Sequence, residues 1–362
     1  MKNVLGDNIT ITLFGESHGE YIGATLDGFT PGIKIDNDFI DKCMKLRRPN
    51  AKTDTPRVEK DEYKIISGVF NGLTTGAPIT VLIPNTNCNS NAYTDLMGKA
   101  RPSHADYAAY CKYHGFEDYR GGGHFSGRIT APIVALGSIC LKALNDLGIK
   151  IGTHIVKCGE VSDKEFSDYD KEIDLINNKD YPFIGNLDEA FLSQINKIKE
   201  NNDSIGGIIE TAITNMPAGI GEPWFTSVEG KISNSIFSIG GIKGIEFGKG
   251  FDFSNGFGST LNDEFYLDNG AIKTKTNNNG GINGGITNGM PITFKCAVKP
   301  TPSIGLKQNT VDFKENKETT LEIKGRHDPA IIRRICIVVT CITAITVCDM
   351  LVTRFGTDYL KK

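Results

Sequence analysis

Strict alternation of apolar and polar residues marks the first element of this chain, at residues 9–13, as a strand with one buried face. Four further segments are short and rich in Ile, Val and Thr, the residue types that strands favour. They are residues 79–83, 149–156, 207–213 and 292–298. The pattern therefore predicts strands at all five places.

Helical spacing of apolar residues appears in longer segments. Residues 132–147 have this spacing and stop before Gly148. Residues 187–200 place their apolar side chains on one face, with Asn186 as the predicted N-cap. The segment after Pro329 is also predicted to be helical, with a strand as the alternative because of its Val, Ile and Thr content.

An uncharged run of fourteen residues, 335–348, lies within that last segment. A helix needs roughly 20 residues to span a bilayer. The run is therefore predicted to be a buried core element, and no membrane association is expected.

Composition limits the classes of function. The chain has 362 residues, 39% of them hydrophobic, which is enough for a large core. It shows no clear linker, so residues 1–362 are expected to form a single domain. The net charge is -3, so no overall positive field would recruit nucleic acid or an acidic membrane. Any anion site must come from local clusters of basic residues.

Nine scattered cysteines indicate a reducing compartment. No CxxC pair occurs, and the N-terminus lacks the apolar region of a signal peptide. The prediction is a soluble cytoplasmic protein with reduced thiols. Cys111 and His114 form a lone Cys-x-x-His, for which a structural role is favoured over a metal site, and no metal is expected.

Glycine is concentrated in three loops, at residues 120–127, 238–258 and 280–289. Such loops either supply unusual turns or let backbone N–H groups approach a ligand. Their position beside basic and histidine motifs favours ligand binding. None of them matches the P-loop or the dinucleotide-binding fingerprint.

Four of the six histidines lie in short polar or glycine-rich motifs, where acid–base chemistry near neutral pH is expected. These are His18 in GESHG, His104 in RPSHAD, His124 in RGGGHFSGR and His327 in GRHDP. His154 sits in a strand-like run and is predicted to be structural.

Arginine accompanies the same motifs, as Arg101, Arg120, Arg128 and Arg326, while lysine supplies most of the other positive charge. Guanidinium groups bind phosphate and carboxylate bidentately. Residues 299–303, KPTPS, add hydroxyls and a cation. Asp328 is either a helix N-cap or a proton carrier. The residues alone predict an enzyme that handles a polyanion with histidine acid–base chemistry.

The order of these motifs resembles the chorismate synthase family over nearly the whole chain. The matching segments are FGESHG at 14–19, RRP at 47–49, RPSHAD at 101–106, DYRGGGHFSGR at 118–128, SIGGIKGIEFGKGF at 238–251, GGINGGITNG at 280–289, KPTPS at 299–303 and GRHDP at 325–329. Several motifs of this length in one order are very specific.

The resemblance implies a fold and a reaction. The fold is α+β, a single-domain sandwich of β-α-β layers that assembles as a homotetramer. The reaction is the 1,4-anti elimination of phosphate from 5-enolpyruvylshikimate 3-phosphate to give chorismate. It requires reduced FMN without net redox change, and some family members use NADPH to reduce the flavin.

The resemblance also implies roles for individual residues. His18 is placed near the leaving phosphate, His104 near the flavin N1 and C2 carbonyl, and Asp328 on a proton relay from flavin N5. The substrate contacts are Ser17, Arg47, Arg101, Ser126, Arg128 and Arg326, with Arg333 or Arg334 as an additional candidate. The FMN contacts are His124, Phe125, Ser126, Gly240, Gly241, Gly284, Lys299, Pro300, Thr301, Pro302, Ser303 and Arg326.

Three positions depart from the family pattern. Ser103 and Asn50 stand where glycine is usual, and Thr340 stands where glutamate is common. The first is expected to shift the loop that holds His104. A second arginine of the family pattern would fall near Lys52 or Thr53, and its absence here weakens the NADPH- or substrate-binding role that the resemblance implies there.

Two rival functions remain open from the sequence. One is a redox flavoprotein that passes hydride from a nicotinamide to FMN, for which no nicotinamide motif is found. The other is an RNA- or nucleotide-binding protein that uses its Arg/Gly loops. The acidic net charge and the lack of an aromatic-plus-basic motif weigh against the second.

Overall fold

Two antiparallel sheets of five strands each form the outer layers in the computed structural model, which describes residues 2–49, 54, 60–86, 97–323 and 328–361. The first sheet contains, in spatial order, β1 (Val4–Leu5), β2 (Thr10–Gly15), β3 (Tyr21–Asp27), β7 (Ile79–Pro84) and β4 (Lys64–Ser67). The predicted strands at 9–13 and 79–83 are confirmed and belong to this sheet.

The second sheet contains the other three predicted strands. Its spatial order is β11 (Ile242–Phe247), β16 (Ile292–Val298), β10 (Gly207–Thr214), β8 (Lys150–Cys158) and β9 (Val161–Ser162). The central strands β16, β10 and β8 are largely buried, as their apolar sequences require.

The described residues also form four two-stranded hairpins outside the two large sheets. They are β5 (Val69–Phe70) with β6 (Leu73–Thr74), β12 (Phe265–Asp268) with β13 (Ala271–Thr274), β14 (Ile282–Asn283) with β15 (Ile286–Thr287), and β17 (Gln308–Asp312) with β18 (Lys317–Leu321).

The helices of the described residues are α1 (Asn37–Arg47), α2 (Asp106–Tyr113), α3 (Thr130–Asp146), α4 (Tyr169–Ile176), α5 (Asp188–Glu200), α6 (Val228–Phe237), α7 (Gly258–Leu261) and α8 (Ile332–Phe355). Two of them, α3 and α8, are largely buried and lie between the sheets. Helix α3 packs on β3 and β7 of the first sheet, and α8 packs on β8 and β10 of the second. The result is a β-α-α-β sandwich, which confirms the α+β fold class.

The contact between α3 and α8 lies at the centre of the core. A Cβ atom at Gly137 would come within 2.6 Å of the carbonyl oxygen of Cys341, so glycine permits the two helices to approach closely. Residues Gly127–Asp146 and Ile332–Phe355 are each long and apolar enough to cross a membrane, yet both are mostly buried inside the protein. The prediction of a buried helix after Pro329 is confirmed, and the strand alternative is wrong.

Both predicted helix caps are wrong. The N-cap of α5 is Leu187, without a side-chain hydrogen bond, so Asn186 does not cap it. The N-cap of α8 is Ile331, and Asp328 instead forms an ion pair with Arg334. The carboxylate of Asp328 is therefore engaged with a cation one helical turn inside α8.

Two polar clusters lie in the second sheet and its helix. His154 is fully buried, and its Nε2 is 2.9 Å from Oε2 of Glu210 on the neighbouring strand, which confirms its structural role. Thr340 donates to the Thr153 hydroxyl at 2.9 Å, and Thr153 lies 3.0 Å from the hydroxyl of Thr211. The departure at Thr340 thus lies within a chain of core hydroxyls.

Candidate active site

Both predicted catalytic histidines rest against one glycine loop, residues 120–125. Gly121 and Gly122 have φ of 60° and 85°, a backbone region that glycine adopts readily. A Cβ atom at Gly121 would lie 2.1 Å from Cε1 of His18, and one at Gly122 would lie 3.3 Å from Nε2 of His104. The loop therefore brings two histidines from separate motifs to neighbouring residues, and any side chain at Gly121 would displace the first.

His18 has the neutral hydroxyl of Ser17 as one partner and interacts electrostatically with Asp118. It follows β2 and is buried, with its Nδ1 3.2 Å from the Ser17 hydroxyl. That hydroxyl also donates to the carbonyl oxygens of Arg120 and Gly121, each at 3.2 Å. Since a hydroxyl both donates and accepts, Ser17 can pair with either tautomer of His18.

Asn85 connects the His18 loop to Arg128. Its amide nitrogen donates to the carbonyl oxygens of Glu16 and Gly19, both at 2.9 Å, and its amide oxygen accepts from Nε of Arg128 at 2.9 Å. Sequence reasoning missed this residue. The available signal was a polar side chain directly after the buried strand β7.

Arg47 and Arg128, both predicted to bind substrate, converge on Asp61. Nη1 of Arg47 lies 2.7 Å from one carboxylate oxygen of Asp61, and Arg128 donates to the other. Arg47 also donates to Thr130 Oγ1 and to the carbonyl oxygen of Gly127, each at 3.1 Å. All three charged side chains are buried, so Asp61 compensates two guanidinium groups that would otherwise be costly inside the protein.

Asp106 holds His104 and Arg101 together. One carboxylate oxygen accepts from His104 Nδ1 and from Nη2 of Arg101, both at 2.7 Å. The other accepts from Nε of Arg101 at 2.8 Å and from its backbone N–H at 3.0 Å. Burial alone would raise the pKa of Asp106, but the hydrogen bonds from Arg101 and His104 outweigh it and hold the pKa well below its usual range. A cavity of about 150 Å³ opens beside this cluster.

The loop 299–303 joins the predicted flavin residues to the His104 loop. Lys299 Nζ donates to the carbonyl oxygen of Ser103 at 2.5 Å, and Arg101 Nη1 donates to Ser303 Oγ at 3.5 Å. On its other side, Thr301 Oγ1 donates to the carbonyl oxygen of Asp328 at 2.9 Å. Burial and the nearby charge of Lys243 lower the pKa of Lys299, which marks a local excess of positive charge.

Ser103, the departure from glycine, has φ of 59°. It therefore occupies the left-handed region that glycine adopts without strain, which explains why glycine suits this position. Serine adopts this left-handed conformation here, and its carbonyl oxygen accepts from Lys299. The expected shift of the His104 loop stays a prediction.

The two arginines at the start of α8 differ. Arg333 is buried and donates to the carbonyl oxygens of Leu46 and Arg48 at 3.1 Å and 2.8 Å, and to Asp54 at 2.5 Å. It thereby secures the end of α1. Arg334 instead pairs with Asp328, whose Oδ1 is buried without a hydrogen-bond partner among the described residues.

Three other predicted residues, 124–126, follow the glycines of the loop 120–125 directly. His124 Nδ1 lies 2.8 Å from the carbonyl oxygen of Gly15, Phe125 is half-exposed beside Tyr113, and Ser126 accepts from the backbone N–H of Arg128.

Two predicted glycines differ in place. The carbonyl oxygen of Gly241 accepts from the backbone N–H of Lys299 at 2.9 Å, which places residues 240–241 beside the loop 299–303. Gly284 lies in the turn of the β14–β15 hairpin, where the carbonyl oxygen of the next residue accepts from the backbone N–H of Val228 in α6. No described hydrogen bond joins that hairpin to the loops of His18 and His104. Arg326, His327 and Asn50 lie outside the described residues, as do Lys52 and Thr53.

The geometry suits anion chemistry. Basic side chains and two histidines lie at the glycine loop, and Arg47, Arg101 and Arg128 are each oriented by a carboxylate. Among the described residues, no group of His, Cys, Asp and Glu is arranged to hold a metal ion. The arrangement can orient an anionic ligand and move protons to and from it.

Comparisons with known proteins agree with this chemistry. The family model described as chorismate synthase matches residues 9–352. The chain is 42% identical to the chorismate synthase of Pyrococcus abyssi over 352 residues, covering 96% of this chain and 97% of that protein. It is 43% identical to the chorismate synthase of Dehalococcoides mccartyi over 355 residues, covering 97% and 96%.

A solved structure supports the same conclusion. A crystal structure of chorismate synthase superposes with a TM-score of 0.77 at 28% identity, covering 98% of this chain and 95% of that one. With the motifs, the layered fold and the paired histidines, these matches establish that the chain belongs to the chorismate synthase family.

Proposed function

We propose that this chain converts 5-enolpyruvylshikimate 3-phosphate into chorismate and phosphate, with reduced FMN bound in the site described above. The observation that carries the proposal is the placement of His18 and His104 against adjacent glycines of one loop. Two proton-handling groups can therefore serve a single small ligand. The family match over residues 9–352 supports treating the chain as one catalytic domain.

The residues present fit an FMN group. No atom lies within 4 Å of the Cβ position at Gly240, so a flat ring can approach the backbone there. Lys299, Lys243, Thr301 and Ser303 provide cations and hydroxyls suited to a phosphate. When bound, reduced FMN supplies electron density while the carbon–oxygen bond breaks and recovers it as the ring hydrogen leaves.

The protein side chains position the substrate and handle protons. His18 donates a proton to the leaving phosphate, and Ser17 orients its ring. His104 provides a proton or positive charge at the flavin N1 and C2 carbonyl. Asp328 accepts a proton from flavin N5, and its unpartnered buried Oδ1 supports that role.

Arginines compensate the charge of the substrate, which carries a phosphate and two carboxylates. The candidates are Arg47, Arg101, Arg128 and Arg326, with Ser126 as a further contact. Arg47 and Arg128 are both held by protein groups: Asp61, Thr130 and Gly127 accept from Arg47, and Asn85, Asp61 and Pro84 accept from Arg128. We therefore propose that these two buried guanidinium groups contribute positive charge to the site from fixed positions.

An anaerobic assay tests the reaction. Purified protein is mixed with dithionite-reduced FMN and 5-enolpyruvylshikimate 3-phosphate, and chorismate absorbance and released phosphate are followed together. Equal appearance of both, with the flavin still reduced at the end, is expected. Folded, FMN-binding protein that forms no chorismate would contradict the proposal and favour the redox flavoprotein.

We further propose NADPH as the electron source for the flavin. The same assay run aerobically with NADPH and FMN, first without the phosphorylated substrate, tests it. NADPH consumption that depends on the protein is expected, and its absence at full anaerobic activity would assign flavin reduction to a separate source.

Self-assembly as a homotetramer is supported by a group of exposed apolar side chains. Trp224 and Phe225 are 85% and 98% exposed, and Phe251, Phe257 and Leu267 are also largely exposed. Exposed aromatic side chains in such numbers are typical of a buried interface. Light scattering on the purified chain is expected to give about four times the 39.4 kDa chain mass.

A cytoplasmic location is proposed from the thiols. The eight cysteines that the structure describes are all free. Burial raises the pKa of Cys158 and of Cys296 to about 12, which leaves these thiols protonated and unreactive. Thiol titration of the denatured protein, purified from cells without added reductant, is expected to find its cysteines reduced.

A further inference from the structure

We infer that Asp106 is the positioning residue that fixes the tautomer and orientation of His104, and that Arg101 serves mainly to hold Asp106 in place. The inference rests on the proposed role of His104. It adds a residue that neither the sequence motifs nor the proposed mechanism had assigned.

The contacts of Asp106 fix its position strongly. Its two oxygens receive four hydrogen bonds of 2.7–3.0 Å, three from Arg101 and one from His104. Two of the three come from Nε and Nη2 of the guanidinium, in the bidentate geometry that binds a carboxylate best. Asp106 is also the first residue of α2, where the helix dipole favours a negative charge. The carboxylate is therefore rigid and ionised throughout the physiological pH range.

An ionised carboxylate can only accept hydrogen bonds, so it determines where the His104 hydrogen lies. Nδ1 of His104, 2.7 Å away, must donate. In the neutral ring the lone pair is then on Nε2, the atom that faces Gly122. This is the same logic by which a carboxylate fixes the tautomer of a catalytic or metal-bound histidine.

Arg101 changes role in this arrangement. Its positive charge is compensated by Asp106, and its Nη1 donates to Oγ of Ser303, in the loop 299–303, at 3.5 Å. Arg101 therefore contributes less charge to the substrate than the motif resemblance implies. Its replacement should act through His104 as well as through any ligand contact.

Asp106→Asn gives a definite structural expectation. The Nε and backbone N–H of Arg101 both require an acceptor, so the amide oxygen should take the place of Oδ2. The amide NH₂ then takes the place of Oδ1, so Nη2 of Arg101 loses its acceptor and Nδ1 of His104 must become an acceptor. The substitution should therefore invert the tautomer and place the hydrogen on Nε2.

The first test is kinetic, with the anaerobic chorismate assay. Asp106→Asn is expected to lower kcat by about 10- to 1,000-fold, the range seen when the carboxylate partner of a functional histidine is lost, with KM changed less than about threefold. Asp106→Glu keeps the acceptor and should recover part of the activity. In a His104→Ala background, Asp106→Asn should lower kcat no further.

Three outcomes would overturn the inference. One is unchanged kcat in Asp106→Asn while the wild type forms chorismate. Another is an equal loss in the His104→Ala background, which would mean that Asp106 does not act through His104. The third is Asp106→Glu with no more activity than Asp106→Asn. If the wild type itself forms no chorismate, the proposed function fails instead.

A spectroscopic test is independent of activity. The ¹⁵N shifts of the His104 ring, assigned by their loss in His104→Gln, should report hydrogen on Nδ1 in the wild type and on Nε2 in Asp106→Asn. The same tautomer in both proteins would contradict the inference. Glu210→Gln is the matched control, since it removes a carboxylate from a buried histidine outside the site. It should lower thermal stability without changing kcat or the His104 signals.

Discussion

His18 and His104 rest against neighbouring residues of one loop, yet the hydrogen-bond partners described for their Nδ1 atoms differ in kind. His18 meets the neutral hydroxyl of Ser17, whereas His104 meets a carboxylate that Arg101 holds rigidly. A hydroxyl can donate or accept, but an ionised carboxylate only accepts. The first setting lets the Nδ1 hydrogen of His18 come and go. The second keeps a hydrogen on Nδ1 of His104 and leaves its Nε2 to take up and give a proton, as its proposed role requires.

The largest expected effects come from removing either ring. His18→Ala and His104→Ala should each lower turnover by roughly 10- to 10,000-fold, the range for a positioned proton donor or acceptor. The measurement is kcat in the anaerobic assay. Near wild-type turnover in both variants would contradict the assigned roles.

Flavin affinity should distinguish His18→Ala from Lys299→Ala. FMN binding, followed by fluorescence titration, should survive His18→Ala better than Lys299→Ala, which serves as the control for a direct cofactor contact.

Asn85→Ala should disturb the loop that holds His18, and leave the contacts of His104 unchanged. It removes the amide that joins Glu16, Gly19 and Arg128. Because three groups lose a partner, one of them the buried Arg128, the free energy of unfolding should fall by about 1–3 kcal/mol and turnover by about tenfold or more. Denaturant unfolding and the anaerobic assay measure both.

Asn177→Ala is the matched control, since Asn177 donates to a single backbone carbonyl, that of Ile151, outside the site. A similar loss of turnover in this control would mean that the effect of Asn85 is one of general stability.

Ser17→Ala tests whether the hydroxyl matters as the carboxylate does. A neutral hydrogen bond contributes about 1 kcal/mol, so turnover should fall by about fivefold. That is less than the loss expected for Asp106→Asn. If Ser17→Ala lost more turnover than Asp106→Asn in the same assay, the partner of His18 would matter more than the partner of His104, which would contradict the comparison.

Acidification should reduce the contribution that Asp106, the partner of His104, makes to the stability of the folded protein. The hydrogen bonds to Asp106 lower its folded pKa, so its contribution to stability is full above the unfolded value of about 3.9 and is lost as pH falls toward the lowered folded value. The difference in unfolding free energy between wild type and Asp106→Asn should therefore be constant near neutrality and shrink below about pH 4. A difference that grows on acidification would contradict the assigned charge state.

The smallest effect is expected from Ser103→Gly. It relieves a left-handed serine at φ 59° but makes the unfolded chain more flexible, so stability should change by less than about 1 kcal/mol. Turnover should stay unchanged because Lys299 binds the backbone at this residue. Asn71→Gly, at φ 49° away from the site, is the matched control in the same unfolding assay.

Much of the fold could be predicted from local sequence. The five strands and the helices at 132–147, 187–200 and after Pro329 follow from periodicity, which burial imposes directly. Caps were predicted poorly: Asn186 does not cap α5, and Asp328 has a tertiary partner that the local sequence does not reveal. Asp328 pairs with Arg334 instead of capping α8.

The motifs identified the histidines but not the residues that hold them. Asp61 and Asn85 lie far in sequence from Arg128, with separations of 67 and 43 residues, so no local pattern connects them. Asp106 lies inside RPSHAD, and its spacing from His104 and Arg101 was visible. Its role depends on a turn that folds all three side chains onto one point, which the letters alone do not specify.

The loop 299–303 has a consequence for how the chain folds. It follows β16 of the second sheet, while the His18 loop follows β2 of the first, and its bonds to Arg101 and Ser103 close separations of 202 and 196 residues. Contacts this distant in sequence form late, because a long segment must be closed before they are gained. During refolding, recovery of activity should therefore lag behind the appearance of sheet and helix signals. Neither half of the chain expressed alone should carry a working site.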